Sequence, residues 1–213
     1  MLFRSLAVAV LASSAFAATV VFDCAKVPNI CSNDCWAIQC NGKPTTLHRD
    51  SADATAHRNA NACRSPNRCS GNPTDSNSCD EYPFASSAEG GAGAITRCVP
   101  SHENSVQGGT LSSFYTNNAI KDGGAYNVGF SGSSGLQYCG GSSCTNSGNE
   151  LIRRGESPRA GGLQHLPRYF ITNEGHEILM YERVSEAGSL DKLVGTEVWL
   201  AHEERNVTIT SMV

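Results

Sequence analysis

This chain has little charge. Asp, Glu, Lys and Arg make up 17% of its 213 residues, and the net charge is −4. Such a balance does not advertise a polyanion partner for the surface as a whole. Tryptophan is confined to Trp36 and Trp199, so the aromatic platforms of a sugar-binding cleft are thin. No Gly-x-Ser-x-Gly elbow occurs, which ranks a Ser-His-Asp hydrolase low. Beyond residue 17 no stretch approaches the roughly 18 consecutive apolar residues of a membrane span, so no membrane partner is expected.

What is abundant is cysteine. Cys24, Cys31, Cys35, Cys40, Cys63, Cys69, Cys79, Cys98, Cys139 and Cys144 all follow a leader-like opening. That opening has Arg4, an apolar run from Leu6 to Leu11 and the small-x-small site Ala15-Phe16-Ala17. It reads as a secretory signal peptide over residues 1–17, cleaved to leave Ala18–Val213. A secreted chain with an even cysteine count reads as up to five disulfides. Cys139 and Cys144 flank a Gly-Gly-Ser-Ser turn and are the favoured local pair. The rival reading is zinc on Cys31-x3-Cys35-x4-Cys40, which the oxidising route disfavours. Asn206-Val207-Thr208 is a glycosylation sequon.

Thr19–Phe22, Ala94–Val99 and Tyr126–Phe130 read as strands. Alanines between Ser51 and Cys63 favour a short helix, and residues 101–118 read as a loop leading into a helix with Leu111, Phe114 and Tyr115 on one face. Beyond Arg168 there are no cysteines. The runs Tyr169–Thr172, Glu177–Tyr181 and Thr196–Leu200 read as strands, the first two joined in a hairpin by Asn173-Glu174-Gly175.

Within this charge-poor chain, Asp80, Glu81 and Glu89 fall inside ten residues, in Cys79-Asp80-Glu81-Tyr82-Pro83-Phe84-Ala85 and Glu89-Gly90-Gly91. Adjacent carboxylates repel unless a cation, a shared proton or a basic neighbour relieves them. With Glu103 and Asn104 downstream they form a set of hard oxygen ligands, suited to magnesium, manganese or calcium. One carboxylate could instead serve as a general base on water. The segment just before carries Lys43, Arg49, Arg58, Arg64 and Arg68 against Asp50 and Asp53, and could hold a phosphate backbone. Base, divalent cation and phosphate-binding arginines together make phosphodiester hydrolysis. The competing readings are a glycoside hydrolase with two carboxylates flanking a cleft, and a structural turn in which Asp80 and Glu81 hold Arg97.

The Asp80-Glu81-Tyr82-Pro83 step, then Glu89-Gly90-Gly91-Ala92-Gly93-Ala94, resembles the core signature of the NucA/NucB deoxyribonuclease family. Val99-Pro100-Ser101-His102-Glu103-Asn104 resembles that family's turn into a helix, and Asp122-Gly123 its turn before the last strand. The resemblance covers residues 40–130 and is specific from 79 to 104. It implies secreted, sequence-nonspecific endonuclease activity and a fold like the ββα-metal nucleases, with one divalent metal. It implies Asp80 in the base position, with Glu81 and Glu89 supporting or binding the metal beside Asn104 and Glu103. Arg97, His102, Arg58 and Arg49 are candidates for phosphate contact. The family's Asp-Arg before its Asp-Glu is Ser78-Cys79 here, and its acidic pair before Gly-Gly is Ala88-Glu89.

The expectation is therefore an α+β, disulfide-rich protein with a small ββα-metal-like nuclease core over residues 18–149 and a β-rich extension over 150–213. It would be a secreted monomer hydrolysing DNA, with RNA left open, using Mg or Mn. The alternative is a catalytically inactive secreted binding or toxin-like protein on the same fold.

Overall fold

A computed structural model describes residues 17–72, 75–141, 143–147, 149–152 and 163–213. The signal peptide expected over residues 1–17 lies outside the described residues, except for residue 17. In chain order the elements are β1 (Ala18–Asp23), α1 (Pro28–Asn41), β2 (Thr46–His48), α2 (Ala54–Ala60), β3 (Ser78–Tyr82), β4 (Ile95–Val99), α3 (Ser101–Asn117) and β5 (Ala125–Ser131). They continue with β6 (His165–Thr172), β7 (Glu177–Arg183), β8 (Glu197–Leu200) and β9 (Arg205–Met212).

Six strands close into a barrel in the order β1-β8-β9-β6-β7-β5, with β5 returning to β1. β1 runs parallel to both of its neighbours, pairing Val20 with Val128 of β5 and with Trp199 of β8. The other barrel pairings are antiparallel. This overturns the α+β, ββα-metal-like expectation: the protein is mostly β, and its three described helices are accessory to the barrel. The cause is the pairing of β1 and β5 with strands from 165–212. Those strands were read as an extension, but they supply four of the six staves. β3 and β4 form a separate two-stranded hairpin outside the barrel, packed against α1 and α3.

Strand alternation sorts the apolar side chains into two clusters. Val21, Ile178, Met180, Val198, Leu200, Val207 and Ile209 form one, within the barrel. Val20, Phe22, Val128, Phe130, Leu179, Tyr181 and Trp199 face the other way and join Trp36, Ile38, Phe114 and Tyr115 of α1 and α3. Both faces of the sheet are thus buried here, which is why β5 is buried continuously from Val128 to Ser131 instead of alternating to its end. Gly129 takes its turn on the inner face. A Cβ there would sit 3.3 Å from Met180 Cγ and 3.4 Å from Ile178 Cγ2, so the narrow interior leaves little room for a side chain.

α1 was not foreseen. It starts at Pro28, a residue suited to the first turn, and every residue from Ile30 to Cys40 is buried. Polar Asn33, Asp34 and Gln39 are buried with the rest, so no apolar stripe marks the helix in the sequence. Its cysteines anchor it. The disulfides are Cys24–Cys31, Cys35–Cys139, Cys40–Cys144, Cys63–Cys79 and Cys69–Cys98. The expected Cys139–Cys144 bridge is replaced by two parallel ties from α1 to that loop, because Cys35 and Cys40 present thiols to it from successive turns. No cysteine is free, which removes the thiolate zinc reading. α3 begins directly at Ser101 without the expected loop, burying Glu103, Gln107, Leu111, Phe114 and Tyr115 on one face.

Candidate active site

β3 carries the acidic pair into a cavity of about 580 Å³. Its walls come from β3, α3 and the basic segment, including Arg49, Arg58, Asp80, Glu81, Asn104, Gln107 and Tyr115. Two disulfides fix the floor, tying Cys79 of β3 to Cys63 and Cys98 of β4 to Cys69.

Asp80 is 1% exposed. Asn33 Nδ2 of α1 donates to its Oδ2 at 2.9 Å and to Ile95 O at 3.3 Å. Oδ1 of Asp80 is buried with no hydrogen-bond partner. Burial, then the neighbouring Glu81, pushes the carboxyl up to about 7, while the hydrogen bond from Asn33 pulls it down. Asp34, one helical residue beyond Asn33, is fully buried and neither of its oxygens has a partner. Burial, reinforced by Asp80, holds its carboxyl well above the usual range.

Glu81 is also raised by burial but relieved by Arg58, whose Nε lies 3.2 Å from Glu81 Oε1. Arg49 stacks on Tyr115, its guanidinium carbon 4.8 Å from the ring centroid, and its Nε lies 3.4 Å from Asp122 Oδ1. Arg58 thus pairs with a cleft carboxylate, while Arg49 lines the same cavity from its pairing with Asp122. Asn104 donates its amide to Ser78 Oγ at 2.8 Å and Cys79 O at 3.0 Å, which fixes the side chain at the cavity wall.

The structure brings together Asp80, Glu81, Asn104, Arg49 and Arg58. It does not bring in the other four candidates. Glu103 turns away from the cavity and accepts from Asn29 N, Asn29 Nδ2 and Ile30 N at 2.9, 2.7 and 3.3 Å, which caps the start of α1. Glu89 accepts from His48 N at 2.9 Å and contacts His48 Nδ1 at 2.7 Å. Arg97 lies opposite Asp80 in the hairpin register but pairs with buried Glu150 at 3.1 Å. His102 is exposed at the start of α3 and does not line the cavity. The Gly-Gly step also has a structural use: a Cβ on Gly90 would fall 2.4 Å from Phe84 O, so only glycine lets this loop fold back. Asp80 and Glu81 do not hold Arg97, as the purely structural reading supposed. Asn33, Asp34, Gln107 and Tyr115 were missed by reading the sequence.

Among the residues lining this cavity, Asp80, Glu81 and Asn104 offer hard oxygen donors, beside the amides of Asn67 and Gln107. Such a set fits a magnesium-class ion that keeps several waters.

Residues 34–129 match the model of the deoxyribonuclease NucA/NucB family, and this part of the chain resembles that family. The match spans the hairpin, α3 and every residue lining the cavity, and supports a nuclease-type function. No curated protein matches the chain.

Proposed function

We propose that the protein is a secreted, metal-dependent endonuclease that hydrolyses DNA phosphodiesters with little sequence preference. The observation that carries the reading is Asp80: a buried carboxyl with one unpartnered oxygen, raised to about 7, facing a cavity rimmed by two arginines. A base poised near neutral pH is what proton removal from water requires.

In this reading Arg49 and Arg58 hold the phosphate backbone, contacts that carry no sequence information. Asn33 orients Asp80, whose carboxylate takes a proton from the attacking water. Glu81 and Asn104 would hold the divalent ion. When bound, that ion polarises the phosphoryl oxygen and steadies the leaving oxygen. Glu103 and Glu89 are not called on. Secretion is supported by the leader-like opening and by five disulfides, which persist in oxidising compartments.

The test is cleavage of supercoiled plasmid by the oxidised protein with magnesium or manganese, then with EDTA, beside Asp80→Ala. Nicking that needs metal, vanishes in the variant and weakens as salt rises is the expected result. Absence of cleavage by folded protein under any divalent metal would overturn the reading and favour a binding protein on this fold.

A further inference from the structure

Away from the Asp80 cavity, two turns at one end of the barrel bring three metal-ligating side chains together. The β6–β7 turn contributes His176. The β8–β9 turn contributes His202 and Glu203. His176 Nε2 lies 2.8 Å from Glu203 Oε1, and His202 Nε2 lies 3.2 Å from the same oxygen. The three ligand atoms all fall within 4.8 Å of one another, and the imidazoles meet edge to face with centroids 5.1 Å apart. None of the three lines the Asp80 cavity.

We infer that His176, His202 and Glu203 form a binding site for a zinc-class divalent ion, separate from the nuclease cleft. Bond lengths of roughly 2.0–2.2 Å to nitrogen and oxygen give a tetrahedron with edges of about 3.3 Å. The two imidazole–carboxylate separations sit near that edge, so an ion enters with small side-chain shifts. Two imidazoles and one carboxylate select zinc over magnesium or calcium, which prefer all-oxygen shells. Glu174 is the candidate for the fourth position, its Oε2 3.9 Å from His176 Nε2; water is the alternative.

Charge favours a cation here. Glu174 and Glu203 bring two negative charges, and Arg205, which contacts both, brings one positive charge. Only about a quarter of each ligand side chain is exposed, 29% for His176, 24% for His202 and 22% for Glu203, so the ligands are held without being sealed from solvent. Asn173 already ties the β6–β7 turn to β9, its side-chain oxygen accepting from Thr208 N at 3.0 Å and its own N–H donating to Thr208 O at 2.8 Å. A bound ion would clip the two turns together directly, beside the seam where β9 meets β6.

The test uses the oxidised protein stripped with chelator, titrated with Zn²⁺ by calorimetry and with Co²⁺ by visible absorption. The expected result is one zinc per chain and the intense visible bands of tetrahedral cobalt. His176→Ala, His202→Ala and Glu203→Gln should each weaken binding by about tenfold or more, the scale that even supporting residues of a metal site command. Asp80→Asn should leave this binding unchanged, which separates it from any ion in the cleft. No heat and no cobalt bands with wild-type protein would overturn the inference. So would binding that survives His202→Ala and disappears in Asp80→Asn.

Discussion

Asn33 of α1 reaches across to Asp80 of β3, its amide nitrogen 2.9 Å from Oδ2. The bond spans 47 residues of sequence and joins a disulfide-anchored helix to the acidic hairpin. It favours the ionised carboxylate, against burial that favours the neutral acid. The balance leaves Asp80 at about 7.

If Asp80 is the base, the rate of DNA cleavage should rise with pH through about 7 and level off above it, since only the ionised form accepts a proton. Asn33→Ala removes a bond that lowers the pKa, so its profile should move to higher pH. A pH–rate series for wild type and Asn33→Ala checks both. An unshifted profile in the variant would mean that Asn33 serves the fold and not the base.

Stability should run the other way. A carboxyl whose folded pKa lies above its unfolded value binds more protons in the folded state, so stability is full below about 4 and declines as pH rises through about 7. At about 1.4 kcal/mol for each pKa unit, the ionised buried group costs the fold a few kcal/mol at pH 8. Asp80→Asn should therefore gain stability relative to wild type at pH 8 and little at pH 4, measured by urea unfolding at both.

Glu103 and Glu89 divide from the cleft carboxylates. Glu103→Ala strips the start of α1 of an acceptor for two backbone N–H groups and the Asn29 amide, and should cost ~1–3 kcal/mol. Metal-dependent cleavage by the surviving folded fraction should persist. Glu89→Gln should leave cleavage within about twofold of wild type, a bound set by its pairing with His48 outside the cavity. Loss of cleavage in folded Glu89→Gln would return that carboxylate to the catalytic set.

The Cys40–Cys144 bridge closes a loop with a sequence separation of 104. Replacing both residues by serine should destabilise the protein by roughly 2–5 kcal/mol, visible as a lower melting temperature. Cys35–Cys139 still holds α1, so plasmid cleavage below the melting range should remain.

Much of the sheet was legible because its signals are local. Asn173-Glu174-Gly175 announces the β6–β7 hairpin, and Ile95–Val99 carries its own β pattern. Closure was not legible, because the pairing of Val20 with both Val128 and Trp199 joins strands about a hundred residues or more apart. α1 escaped for a different reason: its buried face includes Asn33, Asp34 and Gln39, which read as surface. The Asp80-Glu81 pair stood out because acid is scarce. Gln107, four residues after Glu103 and four before Leu111, lay on a face that could have been read. Glu103 and Asn104 are adjacent and look alike in sequence, yet helical geometry sends one to the tip of α1 and the other to the cavity wall.

The first strand of the barrel lies between β5 and β8, so its neighbours emerge from the ribosome long after it does. A growing chain that has not reached residue 197 offers β1 no partner on one side, and α1, with its Asn33, no finished wall to rest on. The acidic hairpin has no such wait: α1, α3 and the Cys63–Cys79 and Cys69–Cys98 bridges that hold it are all made before residue 118. The barrel is therefore closed last, by strands that supply no residue to the cavity.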